Sequence, residues 1–363
     1  MPTDELDRIL AIDVGAGTQD ILIYESSRTP ENCFKLVLPS QTQIIASRIR
    51  EATRHRLPLH LHGRVMGGGA SSEAIADHLE AGFQVTATAD AAATIHNDLE
   101  RVRTMGVAIG ADPISGSVHI RLGDVDCQAL AGALDSFGVA MPETMGIAVQ
   151  DHGYRPGSGN NTVRFEYLQS LLDDGGDLAS MVFRQAPAGM NRMSAVLDEF
   201  PGASVMDTGA AAILGALGDP AVASAAQTDG AILVNVGNMH TFATLIKRRR
   251  LYGLFEHHTG GITSQIIHTL VSRLQRGDLD AESFAAGFDG HGAAIHPAYR
   301  NEGPFQFVAV TGPNRAIAGP LGYHQAAPHG DMMLTGSFGL VEGLLMTRGG
   351  KELQRLSLIP GSN

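Results

Sequence analysis

Two stretches of the sequence share one outline: "DVGAGTQDILIYE" runs from Asp13 to Glu25, and "NVGNMHTFATLIK" runs from Asn235 to Lys247. Each has a Val-Gly core, a polar tip that carries a threonine, and an apolar second half. This pattern predicts a strand, a tight glycine turn and a second strand. Small residues at such a tip leave backbone N–H groups open, so that they can surround phosphate oxygens. The two stretches therefore form a loose internal repeat, and each is a candidate phosphate-binding hairpin.

The chain has 363 residues, which is enough for two domains with a core each. The formal net charge is -12, which argues against non-specific binding to nucleic acid or to anionic membrane surfaces. No apolar stretch approaches the roughly 18 residues that a membrane-spanning helix needs. We therefore expect neither nucleic acid nor a membrane as a partner.

Cysteine usage and the N-terminus limit the function classes further. Cys33 and Cys127 are the two cysteines, and they lie far apart in no paired motif. A disulfide framework, a cysteine-ligated zinc site and an iron–sulfur cluster are therefore not expected. The first residues, "MPTDELDRILAIDVG", are acidic where a signal peptide is basic. We expect a cytoplasmic protein.

Strand and helix patterns alternate along the chain, but the glycine-bearing segments occur as strand, turn and strand. The fold is therefore expected to contain both parallel βαβ units and antiparallel hairpins. The sequence therefore predicts an α/β fold.

Five segments in order carry a resemblance to a known superfamily: "IDVGAGTQDILIYE", "SVMDTGAAAILGALG", "LVNVGNMHTFATLI" with "GLFEHHTGGI", "VAVTGPNRAIAG" and "GSFGLVEGLL". The series resembles the phosphate-1 hairpin, connecting helix, phosphate-2 hairpin, adenosine turn and second connecting helix of the actin, Hsp70 and sugar-kinase superfamily. The resemblance implies a two-lobed actin-like ATPase fold with duplicated ribonuclease H-like halves. Its expected N-terminal lobe is residues 1–153, and its expected C-terminal lobe is residues 154–363. The segment Lys35–Ala140 carries no assignable motif.

The resemblance is closer to a bacterial and archaeal family, some of whose members are labelled pyruvate formate-lyase activating enzyme-like. A radical-SAM activase needs three clustered cysteines for its iron–sulfur cluster, and this sequence has two distant ones. We therefore do not expect a radical-SAM activase.

The superfamily pattern implies a set of nucleotide-binding positions: Asp13, Gly15, Gly17 and Thr18 in the first hairpin; Asn235, Gly237, Asn238, His240 and Thr241 in the second; and Gly312 in the adenosine turn. Asp13 is the expected Mg²⁺ site, through water, and Thr18 and Asp20 are close enough to orient a γ-phosphate or an attacking water. Asn235 stands where an aspartate is usual; its amide can bond a metal-bound water but brings no charge, so that Mg²⁺ rests mainly on Asp13. Pro313 removes a donor from the adenosine turn.

Two further aspartates are candidates for the catalytic base or for positioning the attacking water. Asp207 precedes the Ala-rich helix, where some superfamily members place an acidic residue near the γ-phosphate, and Asp151 follows a predicted buried strand. The alternative is that both carboxylates cap local backbone, with Asp207 as the N-cap of the helix.

Two further features could belong to a site: a group of histidines near the second hairpin, and a triple-glycine loop. His240, His257 and His258 surround the second hairpin, where imidazoles beside Glu256 could bind a transition metal or neutralise phosphate. His257 and His258 point to opposite faces as long as the strand continues. Gly67–Gly69 precedes a predicted helix, which favours a tight turn first and a substrate or partner contact second.

The function that we expect is binding of ATP with Mg²⁺, coupled to hydrolysis or to phosphoryl transfer to a small molecule. An alternative is a nucleotide or metabolite binder that does not hydrolyse and that regulates or matures a partner enzyme. A third is a metalloprotein that depends on its histidines. The expected partners are thus a nucleotide and either a small molecule or a protein.

Overall fold

The computed structural model describes residues 8–157, 162–348 and 357–360. Its strands are β1 (Arg8–Val14), β2 (Thr18–Glu25), β3 (Phe34–Pro39), β4 (Leu59–Gly63), β5 (Val85–Ala87), β6 (Val107–Ile109), β7 (Val118–Leu122), β8 (Thr144–Val149), β9 (Val182–Phe183), β10 (Ser204–Met206), β11 (Ala231–Val236), β12 (His240–Lys247), β13 (Arg250–His258), β14 (Gly290–Ile295), β15 (Phe307–Thr311) and β16 (His324–Gln325).

The α-helices of the same residues are α1 (Gln41–Arg54), α2 (Gly69–Glu80), α3 (Ala89–Ile95), α4 (Leu99–Thr104), α5 (Cys127–Asp135), α6 (Thr162–Asp173), α7 (Asn191–Glu199), α8 (Thr208–Ala216), α9 (Pro220–Gln227), α10 (Ser264–Arg276), α11 (Ala281–Ala285), α12 (Tyr299–Glu302) and α13 (Thr335–Arg348). Short 3-10 helices cover Pro30–Asn32, Leu178–Met181, Arg315–Leu321 and Pro328–Gly330.

Two six-stranded sheets repeat one topology. The first has the order β3-β2-β1-β8-β10-β9, and the second has the order β14-β13-β12-β11-β15-β16. Each starts from a three-stranded antiparallel meander, β1-β2-β3 or β11-β12-β13, and adds two parallel strands beside the first strand of that meander. This is the ribonuclease H-like strand order, present twice. The actin-like ATPase fold predicted from the sequence is confirmed.

The two glycine hairpins close in the same way. The N–H of Gly15 donates to the carbonyl of Thr18 at 2.8 Å, and the N–H of Gly237 donates to the carbonyl of His240 at 3.0 Å. The strands that flank each turn are almost entirely buried, because their apolar residues face helices on both sides of the sheet. The internal repeat in the sequence therefore corresponds to two equivalent hairpins, β1–β2 and β11–β12.

Helices α8 and α13 cross between the two sheets at backbone contact distance. A Cβ added at Gly215 would lie 1.8 Å from the carbonyl oxygen of Thr335, and one added at Gly339 would lie 1.8 Å from that of Ala211. Only glycine permits this approach. The crossing belongs to the largest apolar cluster, which also includes residues from both sheets.

A third, smaller sheet lies within the segment that carries no motif. Its four parallel strands have the order β6-β5-β4-β7, and it has its own apolar core with residues of α1 to α4. The unit follows β3 and precedes β8, so it is inserted into the first half of the duplicated fold.

The expected lobe boundary between residues 153 and 154 remains a prediction about folding units. Strand pairing runs across it, because β10 lies parallel to β8 and β9 pairs with β10. The first sheet therefore takes strands from both sides of that position. Among the described residues, no single helix is long and apolar enough to cross a membrane; one bent pair, α8 with α9, meets that test by length and composition alone.

Candidate functional site

A cleft of about 600 Å³ brings together segments that are far apart in the sequence. Nine predicted site residues line it: Asp13, Gly15, Thr18, Asp151, Asn235, Gly237, Asn238, His240 and Gly312. Three others do not. Gly17 lies at the tip of the first hairpin, Asp207 lies next to Arg164, and Thr241 points to the opposite face of β12 from His240, where its hydroxyl pairs with that of Thr259 at 3.1 Å.

The two hairpin tips meet across this cleft. A Cβ at Gly17 would lie 3.0 Å from the Nδ2 of Asn238, so that a larger residue would displace the side chain of Asn238 at the facing tip. The turn at Gly312 is fastened to the second hairpin, since Asn314 donates through Nδ2 to the carbonyl of Gly237 at 2.9 Å. Gly312 has a φ of +98°, and a Cβ there would lie 2.5 Å from the carbonyl oxygen of Val236. Three glycine-bearing turns thus surround one space.

A carboxylate pair stands beside the first hairpin. Asp13 on β1 lies directly opposite Asp20 on β2, so that both side chains project from the same face of the sheet. Thr208, at the start of α8, donates its hydroxyl to Oδ1 of Asp13. A Cβ at Gly336 would lie 1.9 Å from the other oxygen, which brings the start of α13 against the same carboxylate.

Burial raises the pKa of both carboxyl groups, and nearby negative charges add to the rise. Desolvation first, and the charge of Asp20 second, raise the pKa of Asp13 to about 7. Desolvation is also the main reason that the pKa of Asp20 rises to about 6. Within the described part of the chain, the buried Oδ1 of Asp20 has no hydrogen-bond partner. Two buried carboxylates of this kind, one of them unsatisfied, suit a divalent cation.

The second hairpin has no counterpart of this pair. The positions equivalent to Asp13 and Asp20 are Asn235 and Phe242, which are paired in the same register on β11 and β12. An amide and a phenyl ring bring no negative charge to the cleft. The acidic ligands at the hairpins therefore all come from the first one.

The two predicted catalytic carboxylates are both engaged in hydrogen bonds to the protein. Asp207 caps α8 by accepting from the N–H of Gly209 at 2.9 Å, and it pairs with the buried guanidinium of Arg164 at 2.5 Å. Asp151 accepts from the N–H of Gly153 at 2.8 Å and of Met193 at 2.9 Å. Burial raises the pKa of Asp151, although those backbone bonds oppose the rise. These are the capping contacts named as the alternative; the catalytic roles stay predictions.

Arg164 on α6 joins Asp207 to Glu256 on β13. Its Nε lies 2.6 Å from Oε2 of Glu256, and all three side chains are at most 2% exposed. Burial alone would raise the pKa of Glu256, but the guanidinium holds that pKa well below its usual range. The network carries two carboxylates for one guanidinium. Sequence reasoning named Glu256 only as a neighbour of histidines, and it missed Arg164, which is an ordinary helix residue in the sequence.

Three histidines converge at the mouth of this network. His152, His240 and His291 each offer a ring nitrogen, and these nitrogens all lie within 4.8 Å of one another. Desolvation above all lowers the pKa of His152 to about 3 and that of His240 to about 4. Both rings are therefore neutral near pH 7. The ring of His258 lies 4.9 Å from that of His291, centroid to centroid.

His257 does not belong to this group. It is buried on the other face of β13, where Nδ1 bonds the carbonyl of His258 at 2.6 Å and the ring packs against Phe284. The opposite directions predicted for His257 and His258 follow from strand alternation. Sequence reasoning did not identify His152 or His291, because each comes from a different segment and no local pattern links them.

The triple-glycine loop also reaches the cleft. Gly67–Gly69 lies between β4 and α2, and the N–H of Gly67 donates to Oδ1 of Asp124 at 3.1 Å. Arg192 holds the same carboxylate with two bonds of 2.7 Å. The inserted sheet thus contributes one wall of the cleft through a loop fixed by an ion pair.

Comparison with known proteins gives one family and several remote structural likenesses. A family model described as "Putative pyruvate format-lyase activating enzyme (DUF1786)" matches residues 66–317. No curated protein matches the sequence.

Three solved structures are similar in parts. The ethanolamine utilization protein EutJ from Carboxydothermus hydrogenoformans has 10% identity and a TM-score of 0.32, over 92% of this chain and 88% of that one. A ROK family transcriptional regulator, a homolog of E. coli MLC protein, has 9% identity and a TM-score of 0.29, over 96% and 83%. Nucleotide-free acetone carboxylase has 13% identity and a TM-score of 0.22, over 68% and 44%. Scores of this size do not identify a fold, and the fold assignment rests on the strand order.

Proposed function

We propose that this chain, which belongs to the DUF1786 family because the model of that family matches more than half of it, binds ATP with Mg²⁺ in the cleft between its two six-stranded sheets. We further propose that binding is coupled to hydrolysis or to phosphoryl transfer to a small molecule. The observation that carries the proposal is the meeting of two equivalent glycine hairpins across one cleft, with a buried carboxylate pair beside the first.

The hairpin tips are the phosphate-binding elements of the proposal. Turn closure uses the N–H groups of Gly15 and Gly237, so we assign the phosphate contacts to the residues next along each tip, from Ala16 and from Asn238 onward. Backbone donors there face negative oxygens without side chains between them. The turn at Gly312, bonded to the second hairpin through Asn314, is the nearest backbone on which the nucleoside could rest.

Asp13 and Asp20 are the residues that would hold Mg²⁺. A bound cation supplies charge neutralisation for the phosphates. The fit is supported by the opposed carboxylates, by the unsatisfied Oδ1 of Asp20 and by the raised pKa of both groups. At Asp13 a cation would remove the part of the rise that the charge of Asp20 causes. Thr208 orients Asp13 through its hydroxyl.

A second candidate function is a nucleotide or metabolite binder that does not hydrolyse and that regulates or matures a partner enzyme. The observation that favours it is the engagement of Asp207 and Asp151 in capping and ion-pair contacts, which leaves Asp13 and Asp20 as the carboxylates open to the cleft. Asn235 and Pro313 add to it, because each lacks a group that the superfamily pattern supplies.

The family description names a pyruvate formate-lyase activating enzyme. Radical-SAM chemistry lies outside the proposal, because an activase of that type needs three clustered cysteines for its cluster and the chain has two, Cys33 and Cys127. The partners that we propose are a nucleotide together with a small molecule or a protein, and neither nucleic acid nor a membrane surface.

Thermal unfolding with ATP alone, with Mg²⁺ alone and with both tests the binding step. A ligand at about 100 times its Kd stabilises the native state by about 2.7 kcal/mol, so that the combination should raise Tm more than the separate additions do. Phosphate release and ADP formation then separate the two candidates. Turnover that is lost in Asp207→Asn or Asp151→Asn with binding kept supports catalysis; binding without turnover in the unmodified protein supports the second candidate. The absence of a Tm shift with any nucleotide removes the first candidate and the nucleotide-binding form of the second.

A further inference from the structure

We propose that His152, His240 and His291 form a binding site for a divalent transition metal, inside the same cleft but separate from the Asp13–Asp20 pair. The three residues come from the segment after β8, from the first position of β12 and from β14. Their ring centroids are 4.6 to 5.4 Å apart, and one nitrogen of each lies within 4.8 Å of the others. Two nitrogens bound to one ion at about 2.1 Å are at most about 4.2 Å apart, so small rotations of the rings would bring all three onto a single ion.

The protein orients one of these rings through a relay. Gln150 donates through Nε2 to Glu256 at 2.5 Å, which leaves its Oε1 as the acceptor for Nδ1 of His240 at 2.8 Å. His240 is therefore protonated on Nδ1, and the lone pair of Nε2 is free for a metal. Metal-binding histidines are commonly fixed in this way by a carbonyl or carboxylate behind the ring.

His291 owes its position to a bulge in the second sheet. Glu256 pairs with Gly292 while His257 pairs with Gly290, so that His291 is the extra residue on β14. A Cβ at Gly290 would lie 2.4 Å from the carbonyl oxygen of Glu256, and one at Gly292 would lie 2.9 Å from the ring of Phe165. The Gly-His-Gly sequence is thus required to turn one imidazole toward the cleft.

The ring of His291 has an unsatisfied nitrogen. Its side chain is 4% exposed, and among the described residues Nδ1 has no hydrogen-bond partner, although Oε2 of Glu256 lies 3.5 Å away. A buried polar atom without a partner is costly, and such atoms commonly mark a site for an ion or a ligand. This observation is independent of the distances among the three rings.

The surrounding charge also favours a cation. Glu256 and Asp207 face a single guanidinium, that of Arg164, so the buried network has one formal negative charge in excess. Three imidazoles select Zn²⁺, Co²⁺, Ni²⁺, Cu²⁺ or Fe²⁺ over Mg²⁺, which prefers oxygen ligands. His258 adjoins the group, and its Nδ1 pairs with Asp289 at 3.0 Å. The cleft supplies the open side on which a metal could polarise a bound substrate or water.

The test uses the full-length chain without a histidine tag, stripped of metal with a chelator and free of nucleotide. Titration with Co²⁺ should produce the visible absorption bands of a low-symmetry cobalt site, and calorimetry with Zn²⁺ should give one site per chain. His291→Ala and His152→Ala should abolish the bands. Gln150→Ala should weaken Zn²⁺ binding by about 10–100-fold, as loss of an outer partner does.

Two control variants separate this site from adventitious binding. His268→Ala removes an exposed imidazole on α10. His119→Ala disrupts a second histidine group in which His60, His62 and His119 have ring centroids 5.1 to 6.2 Å apart. Both should bind as the unmodified protein does. Absence of stoichiometric binding, or binding that survives in His291→Ala and His152→Ala when both remain folded by circular dichroism, would overturn the proposal. Because nucleotide is absent, this outcome is independent of the ATP experiments.

Discussion

Replacing Asp13 by the isosteric Asn should stabilise the metal-free protein above neutral pH while it damages the proposed Mg²⁺ site. Asp13 is half-buried opposite Asp20, and its folded-state pKa is raised to about 7 from 3.8. An unfolded chain ionises this carboxyl from about pH 4 upward, whereas the folded chain keeps it protonated until about pH 7. The folded state therefore loses stability as pH rises through this window, and the loss is complete above it.

A pKa difference of this size corresponds to about 4 kcal/mol at pH 8, which is an upper value because a cation or water near the carboxylates reduces it. The amide side chain of the variant has no proton to lose, so Asp13→Asn should be more stable than the unmodified protein at pH 8 by up to that amount. The two should be equally stable near pH 4. Asp20→Asn should also be more stable than the unmodified protein at pH 8, but its advantage should develop over a shorter pH range, which ends at about pH 6.

Chemical denaturation in a metal chelator, at pH 4 to 5 and at pH 8, measures the difference, with the change in midpoint as the readout. Asp112→Asn, in an exposed loop, is the matched control, and it should stay within about 0.5 kcal/mol at both pH values. Added Mg²⁺ should stabilise the unmodified protein and leave Asp13→Asn nearly unchanged. If Asp13→Asn is less stable than the unmodified protein at pH 8, or if the difference in stability does not depend on pH, the assignment of a raised pKa to Asp13 is refuted.

Three further predictions concern the network, the helix crossing and the cap. Arg164→Met leaves two buried carboxylates without their cation and should cost about 3–5 kcal/mol of folding stability, whereas Arg103→Met, in an exposed pair, should cost less than about 1 kcal/mol. Gly339→Ala forces the α8–α13 crossing apart and should cost about 3 kcal/mol, while Gly132→Ala, in open space on α5, should gain about 0.5–1 kcal/mol; thermal unfolding measures both. Asp207→Ala removes the α8 cap and one of the two carboxylate partners of the buried Arg164 guanidinium, so its free energy of unfolding should fall by more than the roughly 1 kcal/mol of a cap alone, as chemical denaturation would measure.

The parts of the fold that could be predicted from sequence are those with local causes. A Val-Gly step before a polar tip specifies a hairpin within a dozen residues, which is why both β1–β2 and β11–β12 were identified. The inserted sheet was not, because its strands β5 and β6 have only three residues each and pair through connections that no local pattern marks. The pairing of β10 with β8 across residue 153 could not be predicted either, because it joins strands that are far apart in the sequence.

The site divides in the same way. Glycine turns can be identified from the sequence because their role is local, and Gly15, Gly237 and Gly312 do line the cleft. His291 becomes a candidate only through the bulge on β14, and His152 only because the segment after β8 brings it to the other two rings. Arg164 is an ordinary helix residue in the sequence, yet in the structure it pairs with Asp207, a carboxylate that the sequence made a candidate for catalysis. The sequence alone does not predict this ion pair.

The central claim is that both hairpins hold one nucleotide through a cation at Asp13. Calorimetric titration of the unmodified protein with ATP, with and without Mg²⁺, tests it most directly when repeated on Asp13→Asn and on Gly17→Val, which would crowd the tip facing Asn238. We predict one site per chain, with affinity that depends on Mg²⁺ and falls at least about tenfold, or about 1.4 kcal/mol, in each variant; Gly132→Ala should bind normally. Equal affinity in all four proteins, or binding indifferent to Mg²⁺, would contradict it.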